Sequence, residues 1–181
     1  MIRRPVTLGG PPGSGKSTAG RRVAEALGLE FRSAGERFRE EAARRGLSLD
    51  AFGRFAETHS EVDQELDRAM QALVAPGRLI EGRIQGPLCR RRGVPVHSIV
   101  VTASEETRVA RVASRDGGSL EETRRRVRER EASERARYLR YYGIDLDREG
   151  ADLVVDSTHQ GPEAVADAIV EFLRAQEASG P

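Results

Sequence analysis

Eight consecutive residues, Gly10-Pro11-Pro12-Gly13-Ser14-Gly15-Lys16-Ser17, satisfy the pattern G-x-x-x-x-G-K-[ST], with Thr18 following. Glycines at this spacing let the backbone curl so that successive N–H groups point at phosphate oxygens. An apolar run, Val6-Thr7-Leu8, precedes the loop, and a helical pattern from about Ser17 to Leu27 follows it. A helix starting there adds its positive end to the anion site. Lys16 is placed to reach β- and γ-phosphates, and the Ser17 hydroxyl can ligate Mg²⁺. Lys16 is also the only lysine in a chain whose other basic side chains are all arginine. A compact ammonium on a flexible stem suits that slot, and a planar fork does not.

A second set of residues suits a phosphorylated acceptor. Ser33-Ala34-Gly35 closes one strand-like run and opens a helix, with Arg39 about one turn inside it. Gly35 permits close approach of a ligand, and an arginine there can grip a phosphate bidentately. Glu81-Gly82-Arg83 ends another strand-like run, Arg78 to Glu81. Ligands of open α/β sheets bind beyond the carboxyl ends of strands. Glu81 is therefore a candidate to hold a water on Mg²⁺, and Arg83 a candidate for a phosphate. Glu57, His59, Asp63 and Gln85 are polar candidates for reading the edge of a base.

A third set is the arginine-rich stretch from Arg108 to Arg140. Glu121 with Arg125, Glu122 with Arg126, and Glu131 with Arg135 have the i,i+4 spacing of solvated ion pairs. The same stretch can also supply arginines to a phosphoryl group in flight, an effect of about 10³–10⁵ in rate in related NTPases. Gly117 and Gly118 are suitable hinges for such a lid.

The elements that must position these residues alternate between strand and helix. Strand-like runs fall at 6–8, 29–31, 78–81, 98–101 and 153–155. Helical patterns fall at 17–27, 36–74 (interrupted near Gly46 and at 58–60), 105–115, from Ser119 toward Tyr141, and around Val165 to Leu173. Ser119 and Glu122 form a capping box. This alternation predicts an α/β fold of three layers, a parallel sheet of about five strands with helices on both faces. One domain is expected from 1 to 181, with a helical insertion at about 36–76 on the acceptor side and a lid at about 116–137. The tail from Ala178 is expected to fray.

Composition excludes several classes. Thirty basic residues against 29 acidic ones give a net charge of +1, so no global field draws the chain to nucleic acid or anionic lipid. No apolar run is long enough for a signal peptide or a membrane span, so a cytoplasmic protein is expected. Cys89 cannot form an internal disulfide, being the only cysteine. Its neighbours Arg90, Arg91 and Arg92 could lower its pKa, but with no His or second Cys nearby it reads as an incidental thiol. No N-K-x-D run for guanine is present.

The P-loop, Ser33-Ala34-Gly35-Glu36, Glu81-Gly82-Arg83 and the stretch from Arg130 to Asp145 together resemble the archaeal-type cytidylate kinases, within the nucleoside monophosphate kinases. Arg137-Tyr138, Tyr142-Gly143-Ile144-Asp145 and Asp152 to Thr158 carry the resemblance into the last third. It covers Val6 to about Leu173. It implies transfer of the γ-phosphoryl group of ATP to CMP or dCMP with Mg²⁺. A monomer without a nucleic-acid or membrane partner is expected. Residues 10–18 would bind ATP phosphates. Arg111 and Arg115 match an adenine-stacking arginine and a phosphate arginine. Arg39 and Arg83 match acceptor-phosphate arginines, with Ser33, Gly35 and Gln85 nearby in the acceptor site. Glu81 matches an acid near Mg²⁺-bound water. The lid signature R-x-x-x-D-x-x-R appears as Arg130, Glu134 and Arg137, with Glu replacing Asp. Ile84-Gln85-Gly86-Pro87 departs from the family pattern, which carries an aromatic close to Pro87. The readings that compete are a P-loop kinase acting on UMP, AMP, shikimate, gluconate or dephospho-coenzyme A, and a non-catalytic nucleotide-sensing or RNA-binding protein.

Overall fold

The computed structural model describes residues 2–178. Five parallel strands form one sheet, β1 (Val6–Gly9), β2 (Glu30–Ser33), β3 (Arg78–Glu81), β4 (His97–Thr102) and β5 (Leu153–Asp156), in the order β2-β3-β1-β4-β5. The central strand β1 pairs with β3 on one side, Leu8 opposite Glu81, and with β4 on the other, Gly9 opposite Val100. This register brings the loop after β1 and the acidic end of β3 to the same edge of the sheet.

Eight helices connect and flank the strands: α1 (Lys16–Leu27), α2 (Ala34–Arg44), α3 (Leu49–Thr58), α4 (Ser60–Gln71), α5 (Gln85–Arg91), α6 (Glu105–Asp116), α7 (Leu120–Tyr142) and α8 (Pro162–Ala178). The main core lies between the sheet and the α1–α8 pair, where Leu8, Val23, Leu79, Ile99, Ile169 and Leu173 are buried. Gly20 lets α1 lie close on the sheet, because a Cβ there would sit 2.8 Å from both Leu8 and Phe31 side-chain atoms. A second cluster, around Ala42, Phe52, Ala56 and Val62, joins α2, α3 and α4 into one helical unit. No helix among the described residues is long and apolar enough to cross a membrane.

The expected three-layer α/β arrangement is the one observed. The helical interruptions near Gly46 and Ser60 are also observed, where α2, α3 and α4 meet. One element was not expected and one expectation needs correction. Residues 85–91 form α5, a short helix that the sequence pattern does not announce, since its glycine and proline hide the periodicity. The partners expected at i,i+4 along α7 are not the ones observed: Arg125 pairs with Glu129, Arg126 faces Asp50 and Asp116, Arg135 binds Asp147, and Glu131 faces Arg83 and Arg108. For Arg126, Glu131 and Arg135 tertiary partners outcompete local ones, because α7 is packed against α3 and α6. The tail beyond Ala178 lies outside the described residues.

Candidate active site

The loop between β1 and α1 depends on glycine where the backbone is left-handed. Gly10 has φ 140°, and a Cβ there would lie 2.1 Å from the Val101 carbonyl oxygen. Gly13 has φ 81°, and its Cβ would lie 2.6 Å from the Arg108 carbonyl oxygen. No other residue fits either position. The helix N-cap, Gly15, also has positive φ and brings no side chain to the first N–H groups of α1, which are left for a ligand.

Lys16 opens α1. Its Nζ donates to the Pro11 carbonyl at 3.3 Å and lies 3.7 Å from Glu81 Oε1. Burial lowers the Lys16 pKa, and the Glu81 carboxylate opposes that shift. Glu81 is 2% exposed and takes a short hydrogen bond from Ser33 Oγ, which in turn caps α2 by accepting from the Glu36 N–H. Ser33 is thus committed to Glu81 and to the helix.

A single cavity of about 880 Å³ runs from this loop to the helical unit α2–α4. Gly10, Lys16, Ser17, Gly35, Arg39, Glu81, Arg83, Arg115, Arg130, Glu134 and Arg137 all border it, so residues far apart in sequence converge there. Arg83 lies 3.2 Å from Glu134 and 3.4 Å from Glu131. Arg130 donates to Glu134 at 2.9 Å. Burial works to raise the Glu134 carboxyl, but Arg130 and Arg83 outweigh it and hold it below the usual carboxylate range. Arg137 Nη1 reaches both oxygens of Asp63 at 2.8 and 2.7 Å. The triad of Arg130, Glu134 and Arg137 therefore lies on one face of α7, toward the cavity.

A smaller adjoining cavity of about 310 Å³ is bordered by Gly13, Ser14, Gly15, Thr18, Arg111 and Arg115. Arg111 is anchored there, donating to Ser157 Oγ at 2.8 Å and to its carbonyl at 2.7 Å. Arg115 pairs with Asp116 at 2.6 Å.

Gln85 does not border either cavity. It is 1% exposed, and its amide is spent on Gln71 and Asp67 behind the cavity wall. Gln85 therefore does not face the cavity itself and touches its wall through Asp67, which borders it. Glu57 and Asp63 do border the main cavity, whereas His59 stacks on Phe55 at 3.7 Å between ring centroids. Cys89 is buried, and burial pushes its thiol up, opposite to the shift its neighbouring arginines suggested.

Sequence reasoning did not single out Asp67, and it gave Glu131 and Arg108 no role at the site. Asp67 is one helical turn from Asp63 and shares its face. That spacing was the available signal. Arg108 and Glu131 meet at 2.9 Å only through the packing of α6 on α7, which no local pattern announces.

A family model described as an AAA domain matches residues 6–142. Among curated proteins, the cytidylate kinase of Methanopyrus kandleri is 41% identical over 162 residues, 84% of each chain. That of Pyrobaculum aerophilum is 41% identical over 158 residues, 85% of this chain and 84% of that one. The enzyme of Thermoplasma volcanium is 35% identical over 164 residues, 89% and 86%. Among solved structures, shikimate kinase from Acinetobacter baumannii superposes with a TM-score of 0.63 at 20% identity, covering 97% of this chain and 96% of that one. A gluconokinase from Sinorhizobium meliloti gives 0.59 at 16% identity, covering 97% and 94%. These two carry the fold alone. With a P-loop at one end of the cavity, an arginine–carboxylate triad on α7, and this level of identity along most of its length, the chain belongs to the cytidylate kinase family.

Proposed function

We propose that the protein transfers the γ-phosphoryl group of ATP to CMP, and to dCMP, giving ADP and the diphosphate. The observation that carries this reading is the convergence of Lys16, Arg39, Arg83, Arg130 and Arg137 on one cavity with the phosphate loop at its end. Five cations around one space suit two phosphate-bearing substrates that meet there.

The loop from Gly10 to Thr18 cradles the ATP phosphates, with Lys16 on the transferring end. Arg111 and Arg115 flank the nucleotide on the side of the smaller cavity. Gly35, Arg39 and Arg83 take the acceptor phosphate, with Ser33 holding the helix end and Glu81 behind them. The Ser17 hydroxyl and the Glu81 carboxylate are hard oxygen donors, which suit Mg²⁺, with Glu81 acting through a water. When bound, Mg²⁺ neutralises charge that develops on the phosphate oxygens.

An oxygen of the acceptor phosphate attacks the γ-phosphorus, and the bond from that phosphorus to the β–γ bridging oxygen breaks. The attacking oxygen is already anionic, so no general base is needed. Catalysis is alignment plus charge stabilisation by Lys16, Arg130 and Arg137, with Glu134 orienting Arg130. Residues 116–137 act as a lid over the helical insertion at 36–76. Gly117 and Gly118, with φ 77° and 99°, are its hinge. Closure excludes the water that would otherwise take the phosphoryl group. Every group named comes from a single chain, so a monomer suffices.

Phosphorus NMR of a mixture of protein, ATP, Mg²⁺ and CMP tests the reaction directly. Resonances of CDP and ADP growing together are the expected result; ADP with inorganic phosphate and no CDP would reject it.

A further inference from the structure

Behind the acceptor end of the cavity lies a directional chain of buried hydrogen bonds. Gln71 Nε2 donates to the Gln85 main-chain carbonyl at 3.2 Å, which identifies that atom as the amide nitrogen. The same nitrogen donates to Gln85 Oε1 at 2.7 Å. The Gln85 NH₂ group must then face the other way, and it donates to Asp67 Oδ1 at 2.9 Å. Tyr142 OH donates to Asp67 Oδ2 at 2.8 Å. Asp67 therefore meets one donor on each oxygen, and each oxygen keeps a second lone pair.

Asp67 is 7% exposed and borders the main cavity. Its neighbour Asp63, one turn earlier on α4, is matched by the Arg137 guanidinium. The hydrogen-bond donors to Asp67 are neutral, an amide and a phenol. Phe38, Leu66 and Tyr138 border the same cavity and supply flat or apolar surface. In its ionised form Asp67 is an acceptor-only group held rigidly beside apolar walls, matched by a ligand N–H and opposed by a ligand oxygen.

We infer that Asp67 reads the acceptor base, taking a hydrogen bond from the exocyclic 4-amino group of cytosine and turning away uracil, which presents an oxygen at that position. The inference rests on the CMP reading above. Gln85 and Tyr142 are positioning residues that fix the carboxylate. The same chain of bonds predicts how Asp67→Asn would sit. The Gln85 NH₂ group demands an acceptor, so the asparagine oxygen must face it. The asparagine nitrogen then takes the place of Oδ2, where the Tyr142 hydroxyl can rotate to accept from it. The cavity side gains a donor, which suits O4 of uracil.

The test is a cycle between protein and substrate. Initial rates are measured for wild type and Asp67→Asn with CMP, UMP and the monophosphate of 2-pyrimidinone riboside, which has hydrogen in place of the 4-amino group. In wild type, removing the amino group is expected to lower kcat/KM by between about tenfold and a hundredfold, the range of a charged hydrogen bond. In Asp67→Asn that dependence vanishes and the preference for CMP over UMP collapses. Thermal melts establish whether Asp67→Asn is folded; if it is not, Tyr142→Phe takes its place in the cycle, with a smaller loss of the same dependence expected. Equal kcat/KM for CMP and the 2-pyrimidinone analogue in wild type would overturn the inference while leaving CMP kinase activity intact. An undiminished amino dependence in the folded variant would overturn it too. Absence of CMP turnover in wild type would overturn the acceptor assignment itself, and this inference with it.

Discussion

Lys16 Nζ lies 3.7 Å from Glu81 Oε1, so the ammonium of the phosphate loop rests beside the carboxylate at the end of the neighbouring strand. The pairing of β1 with β3 creates this approach, because Leu8 and Glu81 are partners in register. Burial depresses the Lys16 pKa and Glu81 opposes the depression, which keeps a cation where phosphate arrives. Lys16→Ala should lower kcat by at least ~10²-fold, the usual cost of removing one charge-stabilising donor. Its melting temperature should change by only a few degrees, since Glu81 keeps the bond from Ser33. Turnover near the wild-type value, measured by coupled ADP release, would remove Lys16 from the mechanism.

Arg137 and Asp63 form a buried pair between α7 and α4, with neither side chain more than 8% exposed. Removing the cation leaves a carboxylate already pushed up by burial with no compensating charge. Arg137→Ala should destabilise the fold by about 3–5 kcal/mol, and Arg137→Met with Asp63→Leu by clearly less. Urea denaturation measures both. The single variant should also lower kcat more than it raises KM, because a charge acting on the phosphoryl group in flight is missed mainly in the transition state.

Burial and the charge of Asp63 push the Asp67 carboxyl up to about 7, against the bonds from Tyr142 and Gln85 and the charge of Arg137. The folded pKa is above the unfolded one, so the native state holds the extra proton between about pH 4 and pH 7. The protonated group then contributes stability that is fully present below the unfolded pKa and is lost as pH rises through 7. Asp67→Asn, which cannot ionise, should therefore gain stability relative to wild type on going from pH 5 to pH 8. Urea midpoints at the two pH values test this, and a difference that stays constant would contradict it.

Glu131 binds Arg108 at 2.9 Å, and Arg108 in turn donates to the Pro12 carbonyl of the phosphate loop at 3.2 Å. The other Glu131 oxygen faces Arg83. This one residue on α7 thus joins the proposed lid to both proposed substrate sites. Glu131→Gln should loosen closure and raise ATP hydrolysis in the absence of acceptor by about tenfold, comparable to one charged hydrogen bond. Comparing ADP release with and without CMP measures it. Unaltered hydrolysis would mean that the contact does not govern closure.

How much was legible in sequence depended on the range of the interactions. The phosphate loop was, since its glycines answer to local backbone geometry, as Gly10 and Gly13 show. The strand–helix alternation was also legible, because period and capping are local signals, and Ser119 does cap α7 by accepting from the Glu122 N–H. The convergence of Arg83 with Glu134 could be expected from resemblance but not from spacing, since 51 positions separate them in the numbering. Gln85 was a candidate for reading the base and stands behind the cavity wall, because a polar residue in a short unrecognised helix gives no sign of which way it faces. Asp67 escaped notice among many surface acids until packing placed it against the cavity.

The most direct measurement is a coupled ADP-release assay with ATP and Mg²⁺ against CMP, dCMP, UMP, AMP, GMP, shikimate and gluconate at equal concentrations. The account predicts turnover with CMP and dCMP well above every other acceptor. Turnover with shikimate or gluconate instead, or with none of the seven, would contradict the claim that this cavity holds a cytidine monophosphate.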